Sequence, residues 1–289
     1  MSEPKVDETT SYQEATVVCP LCGDNNFLLW ATENGYRAVK CSNCGLIYVN
    51  PRPPLQTIAE AIRTGVHREE LLNLNVVARR IPGKVAHYKR IISEMFADIF
   101  RKNQSICWLD VGAGYGEIVE AISDIAPTGS RIEGIEPMKP KVYQAISRGL
   151  LIKEGYITDI NNKYNYISII NVFSHIPDFR LFLQDIKKVM LPHAEILIET
   201  GNAADVGERK HFPGELNLPD HLVFAGEEHI RRYLAESGFE LLAIKRLRID
   251  DIGWFMKNTI KSIIGRRVAL RLPYTSPSRT LLFRARLVA

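Results

Sequence analysis

Four of the chain's five cysteines stand in two knuckles, Cys19-Pro-Leu-Cys22-Gly23 and Cys41-Ser-Asn-Cys44-Gly45, with eighteen residues between them. Each pair can bring two sulfurs to one tetrahedral ion. The glycine after each second cysteine permits the tight turn that aims backbone amides at sulfur. With cysteine at all four ligand positions no coordination site is left for water, so the spacing predicts a structural zinc and not a catalytic one. A metal-free set of thiols and a redox pair are the competing readings. The residues between the knuckles hold only Arg37 and Lys40 as bases, which argues against a nucleic-acid grip. The fifth cysteine, Cys107, lies in an apolar run and reads as a small buried hydrophobe.

The second constraint is the turn Leu109-Asp110-Val111-Gly112-Ala113-Gly114-Tyr115-Gly116, which follows the buried-looking strand Ile106-Cys107-Trp108-Leu109 and opens a helix at Glu117. Glycines let the backbone turn sharply and let a ligand approach where a Cβ would collide. The helix start favours an anionic group. The next strand ends on Glu136, twenty residues past Gly116, where a carboxylate can accept from two ribose hydroxyls. A dinucleotide fingerprint would need glycine at Glu117, and an acid there would repel a pyrophosphate. A phosphate-binding P-loop also fails, since no Gly-Lys-Ser/Thr follows.

Strands are predicted at 105–111, 131–136, 150–153, 165–171 and 194–200, alternating with helices near 115–124, 139–148, 179–190 and 227–237. Two late strands follow near 239–248 and 279–288. This is an α/β pattern: a doubly wound, mostly parallel seven-stranded sheet preceded by a small zinc ribbon. Residues 1–15 read as a flexible tail, 16–54 as the ribbon module and 55–104 as a helical linker or cap. Residues 105–289 form the nucleoside-binding domain, with an insertion at 250–277. Within the linker 55–80 reads as helical, Ile81-Pro82-Gly83 interrupts it, and 84–102 is an amphipathic helix. The 289 residues carry a formal charge of +4, which four zinc-bound thiolates and one dication would lower by about two, too little to argue for nucleic acid. The polar start lacks a secretory pattern and no apolar run reaches a membrane span, so a cytoplasmic protein is expected. Trp254, Phe255, Ile260, Ile263 and Ile264 among Lys257, Lys261, Arg266 and Arg267 allow a membrane-surface helix over 254–271. A lid, a dimer contact or an ordinary core helix are the alternatives.

Taken together, LDVGAGYG, the IEP at the end of the next strand, and YNYISIINVFSHIPDFRLFLQDIKKVMLPHAEILIET resemble the class I S-adenosylmethionine-dependent methyltransferases. The likeness extends over about 84–248, and a final strand near 279–288 fits that family's reversed edge hairpin. Joined to CPLCG and CSNCGLIYVNPRP, it resembles a bacterial subgroup with an N-terminal zinc ribbon, linked to sugar, surface-glycan or natural-product methylation. The resemblance implies S-adenosylmethionine as cofactor. Asp110, Gly112 and Gly114 would shape the methionine end of its pocket, and Gly116 would start the helix. Glu136 would hold the ribose, Gly155 and Tyr156 would flank adenine, and Asn171 would approach the methionine moiety or the substrate. The family's Pro-Gly-Gly turn before the fifth strand is replaced by Leu191-Pro192-His193-Ala194, which leaves that loop's conformation open.

A carbon or alcohol acceptor needs a base, whereas a carboxylate does not. His175 and His221 are the catalytic candidates, at the carboxyl edge of the sheet where α/β ligands bind. For each, the competing role is a loop histidine bonded to backbone. His211 and His229 are weaker candidates, and Tyr88 and Tyr115 could close over the cofactor. The leading expectation is methyl transfer to a small molecule: a sugar, nucleotide sugar or surface-glycan precursor. RNA methylation and a non-catalytic scaffold that keeps the fold are the alternatives.

Overall fold

The computed structural model describes residues 15–69, 72–75, 79–212, 214–248, 252–265 and 277–288. The chain opens with β1 (Phe27–Glu33), β2 (Tyr36–Cys41) and β3 (Ile47–Val49). The β1–β2 hairpin turns on Asn34-Gly35, both at positive φ (54° and 82°), as a two-residue loop requires to match strand twist. Helix α1 (Leu55–Thr64) follows, then the hairpin β4 (Val66–Glu69) and β5 (Leu72–Asn75), α2 (Gly83–Met95) and the short α3 (Ala97–Phe100). The alternating part runs β6 (Cys107–Val111), α4 (Glu117–Ser123), β7 (Arg131–Glu136), α5 (Lys139–Ile146), β8 (Ile152–Glu154), β9 (Tyr164–Ile170), α6 (Phe179–Lys188) and β10 (Met190–Gly201). It ends with β11 (Val223–Phe224), α7 (Glu227–Glu236), β12 (Phe239–Arg248), α8 (Ile252–Ile263) and β13 (Arg279–Leu287).

The main sheet has seven strands in the order β12-β13-β10-β9-β6-β7-β8. β8, β7, β6, β9 and β10 run parallel. β13 enters antiparallel between β10 and β12, with Glu195 opposite Arg286 and Phe283 opposite both Ile198 and Ile244. This is the mostly parallel sheet that the strand–helix alternation predicts, with the reversed edge hairpin that the family resemblance implies. The parallel strands are buried on both faces, so Cys107–Val111 reads as a continuous apolar run broken only by Asp110. α2, α4 and α5 cover one face, and α6, α7 and the ribbon cover the other.

The structure corrects three local expectations. Residues 55–80 do not continue as a helix. α1 stops at Gly65, a left-handed cap whose N–H bonds the Ala61 carbonyl, and a β-hairpin follows. The missed signal is that glycine, a helix stop. The amphipathic helix of 84–102 is broken at Phe96 (φ −116°, ψ 24°). There the buried Phe96 ring packs on Trp108, and Asp98 of α3 turns to Arg284 on β13. Finally, β10 begins at Met190 and carries the Leu191-Pro192-His193-Ala194 stretch as an irregularity, with exposed His193 at φ 59° in place of a glycine.

The ribbon sheet has four strands, because β11 pairs with β3 as its edge. Cys19, Leu46 and Tyr48 lie in the same buried cluster as Phe173, Ile230 and Tyr233 of the main domain. Cys107 is half-buried. Among the described residues no helix is long and apolar enough to cross a membrane. α8 exposes Ile252, Met256, Ile260 and Ile263. The tail 1–14, the side chain of Trp254 and residues 266–271 lie outside the described residues.

Candidate active site

The carboxyl ends of β6, β7 and β9 open onto a cavity of about 880 Å³. Asp110, Gly112 and Gly114 line it from the first turn, Glu136 from β7, Gly155 and Tyr156 from the turn after β8, and Asn171 from the end of β9. Gly116 does not line it. This residue is the left-handed start of α4 (φ 84°), and a Cβ there would meet Leu150 Cδ1 at 2.6 Å. Gly112 is also at positive φ (72°), and a Cβ would lie 2.4 Å from Val172 Cγ2. His175, Asp220 and His221 line the same cavity. α1 and the β4–β5 hairpin, read as linker, contribute Ala61, Gly65 and Leu74 to the cavity wall.

Glu136 is almost wholly buried. Its two oxygens accept from the amides of Gly114 (2.8 Å) and Met138 (2.9 Å). Each oxygen keeps a lone pair for a further donor. Asp110 is fully buried; Ser168 Oγ donates to it at 2.5 Å and itself accepts from Trp108 Nε1 at 3.0 Å. Burial, reinforced by Glu136 and Glu117 against the Ser168 bond, pushes the Asp110 carboxyl up to about 8. Sequence reasoning missed Glu199 at the end of β10. It accepts from Tyr88 Oη and Asn171 Nδ2 at 3.0 Å each, and its other oxygen is buried without a partner among the described residues. Burial raises its carboxyl above the usual range. Its position beside Asn171 on the next parallel strand was the available signal. Tyr88 is thus both buried and on the cavity wall.

The two candidate histidines meet. Their rings lie 4.8 Å apart at 69°, and the ligating atoms of His175, Asp220 and His221 fall within 4.8 Å of one another. His175 Nδ1 is 2.9 Å from the Asp220 carbonyl, which can only accept, so the neutral ring carries its proton there and leaves Nε2 as acceptor. Burial, with the nearby His175, depresses His221 to about 4, so this ring is neutral at pH 7. Burial opposes ionisation of Asp220, yet the rings of His175 and His67 hold its carboxyl well below the usual range. His67, also missed in the sequence, is buried on β4 with Nε2 3.1 Å from Asp220 Oδ1. The helical expectation for 55–80 had concealed it. His229 is structural: the Gly226 amide donates to its Nδ1 and its Nε2 donates to the Cys44 carbonyl. His211 is exposed and does not line the cavity, whereas Tyr115 does.

In the ribbon, Cys19 and Cys44 sulfurs are 3.5 Å apart, as are those of Cys22 and Cys41, and all four lie within 4.8 Å. Zinc held at about 2.3 Å from each sulfur separates them by about 3.8 Å, so this donor set fits the ion with little movement. The Cys44 thiol pulls Cys19 below the usual thiol range; burial opposes this, and the amides of Cys22 and Leu21 add to it.

A family described as a methyltransferase domain matches residues 79–244. The chain belongs to that methyltransferase family. It is an S-adenosylmethionine-dependent methyltransferase. A search of curated proteins finds no match. Among solved structures, the methyltransferase is similar to a protein described as a sarcosine dimethylglycine methyltransferase from Galdieria sulphuraria (15% identity, 70% of this chain and 86% of that one, TM-score 0.52). It also aligns with the S-adenosylmethionine-bound magnesium protoporphyrin IX methyltransferase of Synechocystis (11% identity, 71% and 80%, TM-score 0.45). At these identities the likeness concerns the fold.

The buried Asp110 gives the cofactor-free methyltransferase a distinctive pH dependence. Its folded carboxyl titrates at about 8, against about 3.9 in an unfolded chain. Between those values the folded state holds more protons, so the Asp110 contribution to stability is lost as pH rises through about 8. Asp110→Asn should therefore gain on the parent protein as pH increases. Urea midpoints of both proteins at pH 5 and pH 8.5 check this; a constant gap contradicts it.

Proposed function

We propose that this methyltransferase acts on a hydroxyl-rich small molecule, a sugar, nucleotide sugar or surface-glycan precursor, with His175 and His221 handling the acceptor's proton. The observation that carries the proposal is one cavity shared by the glycine turn and by the His175–Asp220–His221 group. The lining near those histidines, including Glu215 and Asn217, is rich in hydrogen-bonding side chains, which suits an acceptor with several hydroxyls.

In this reading Asp110, Gly112 and Gly114 form the cradle for the methionine end of the cofactor. Glu136 accepts from the ribose hydroxyls, Gly155 and Tyr156 lie beside adenine, and Asn171 faces the methionine moiety or acceptor. Gly116 acts by starting α4. When bound, S-adenosylmethionine supplies a methyl group on an electrophilic sulfonium. The chain's part is positioning and proton transfer. The Nδ1 bond leaves His175 Nε2 as the acceptor for the substrate proton, with the Asp220 carboxylate beside the ring to steady the charge that results, while His221, depressed to about 4, stays neutral and is the weaker candidate for the base. Buried Asp110 and Glu199 favour a cationic ligand, since a neighbouring positive charge offsets the cost of ionising them. Cys19, Cys22, Cys41 and Cys44 hold a structural zinc, which leaves no open position for chemistry.

Four results are expected. Removing the charged acceptor in Glu136→Ala should weaken cofactor binding by about 1.5–3 kcal/mol, roughly ten- to more than a hundred-fold; calorimetry against S-adenosylhomocysteine reads it, and unchanged affinity sinks the assignment. A screen of nucleoside-diphosphate sugars with labelled S-adenosylmethionine should yield a methylated acceptor. On it, replacing the true base among His175 and His221 by alanine should lower turnover by about 10²–10⁴ with cofactor affinity retained. Full turnover in both variants ends the histidine-base reading. Metal analysis of reduced protein should find one zinc per chain, lost together with stability in Cys41→Ser. Zinc-free folded protein would contradict the ribbon assignment.

A further inference from the structure

The turn that carries Asp220 and His221 does not hold itself. It passes from Gly214 to Leu222 with little internal bonding: the His221 amide to the Asn217 carbonyl at 3.1 Å is its one internal backbone hydrogen bond among those described, and its far end is tied outward, the Leu222 amide to the Ser174 carbonyl at 2.7 Å and the Val49 amide to the Leu222 carbonyl at 2.8 Å. Its middle is held by side chains from two remote elements. At the end of β1, in the ribbon, the Glu33 carboxylate accepts three consecutive amides: Leu216 at 2.9 Å, Asn217 at 2.6 Å and Leu218 at 3.3 Å. Beside it, Asn34 Nδ2 donates to the Leu218 carbonyl at 2.7 Å. Leu216 and Leu218 are fully buried, so amides left without Glu33 would have no water to turn to. On the other side His67, from the β4–β5 hairpin, donates from Nε2 to Asp220 Oδ1. Its Nδ1 is buried with no partner among the described residues. Asp220 then faces His175 twice, through its carbonyl at 2.9 Å and its carboxylate at 3.6 Å.

We propose that Glu33 and His67 are positioning residues of the active site: Glu33 fixes the backbone of 216–218 and His67 fixes the Asp220 carboxylate, and together they set the ring orientation and tautomer of His175 beside His221. The ribbon thereby takes part in the reaction without touching the reacting atoms. Three charge-assisted bonds to one carboxylate lock the turn more firmly than neutral bonds would, and a shift of about 1 Å in a catalytic group can cost about a hundredfold in rate. Glu33 also lies 3.7 Å from Arg209 Nη2, which bonds the Gly214 carbonyl at the start of the same turn. The catalytic meaning of the clamp rests on the histidine-base reading above, but the clamp can be tested apart from it.

The test uses full-length zinc-loaded protein with S-adenosylhomocysteine bound and ¹⁵N-labelled histidine. The parent should show His175 as a single tautomer protonated on Nδ1. Glu33→Ala and His67→Leu should each show a tautomer mixture. Amide exchange at 216–218 should be about tenfold faster in Glu33→Ala and unchanged at those amides in His67→Leu. Glu33→Gln and His67→Gln, which keep an acceptor and a donor, should return most of the parental signal. In all four variants affinity for S-adenosylhomocysteine should stay within about twofold of the parent, since neither residue lies at the glycine turn. A single parental tautomer in Glu33→Ala and His67→Leu overturns the proposal. So does parental exchange at 216–218 in Glu33→Ala, or a matching loss of affinity that glutamine fails to rescue. Retained turnover in His175→Ala and His221→Ala would sink the base reading and leave these outcomes standing.

Discussion

The site depends on a contact that tolerates no side chain. Gly112 sits so close to Val172 that a Cβ would overlap it at 2.4 Å. Because the chain can turn there, β6 leaves the sheet abruptly at Val111, while β9 beside it runs on to Ile170 and delivers Asn171 just past its end. The strand order diverges at this point, with β7 on one side of β6 and β9 on the other. That divergence opens the crevice, as expected at the carboxyl edge of a doubly wound sheet. Every other candidate residue is measured from this turn.

Charge is unusually concentrated around it. Asp110, Glu136 and Glu199 are all buried, and burial of carboxylates is costly unless they are bonded or neutralised. The chain meets this cost in different ways. Glu136 collects two backbone amides, Asp110 draws on a serine backed by an indole, and Glu199 shares a tyrosine and an asparagine. Only Glu199 keeps an oxygen with no partner among the described residues. Elsewhere in the lining the arrangement is inverted: a half-buried carboxylate, Asp220, is surrounded by three imidazoles. The cavity therefore combines a group of carboxylates with a group of imidazoles, and the proposed reaction asks for both: a cationic donor and an acceptor that loses a proton.

Much of this was legible in the residues. The period of the apolar pattern gives the sheet, the glycine turn and Glu136 fall on the cavity they were read to line, and the histidines after β9 and before α7 line it too. What escaped notice has a common cause: it depends on contacts between distant segments. His67 stands in a stretch whose composition suits a helix, and only the left-handed Gly65 breaks it. Glu33 reads as one more exposed acid in a hairpin until residues 216–218 close over it. The Phe96 break in α2 answers to Arg284, far along the chain on β13. Local pattern carries no trace of such pairings.

The two-residue strand β11 has a consequence for the newborn chain. The knuckles are synthesised early and need only local turns to collect their sulfurs. Their sheet, however, is completed by Val223 and Phe224, and the Cys44 carbonyl waits for His229. Some 185 residues separate those last two partners. During translation the ribbon must therefore stand with an open edge until Val223 and Phe224 have left the ribosome. A metal that grips the cysteines early would keep that edge in shape for the strand that arrives last.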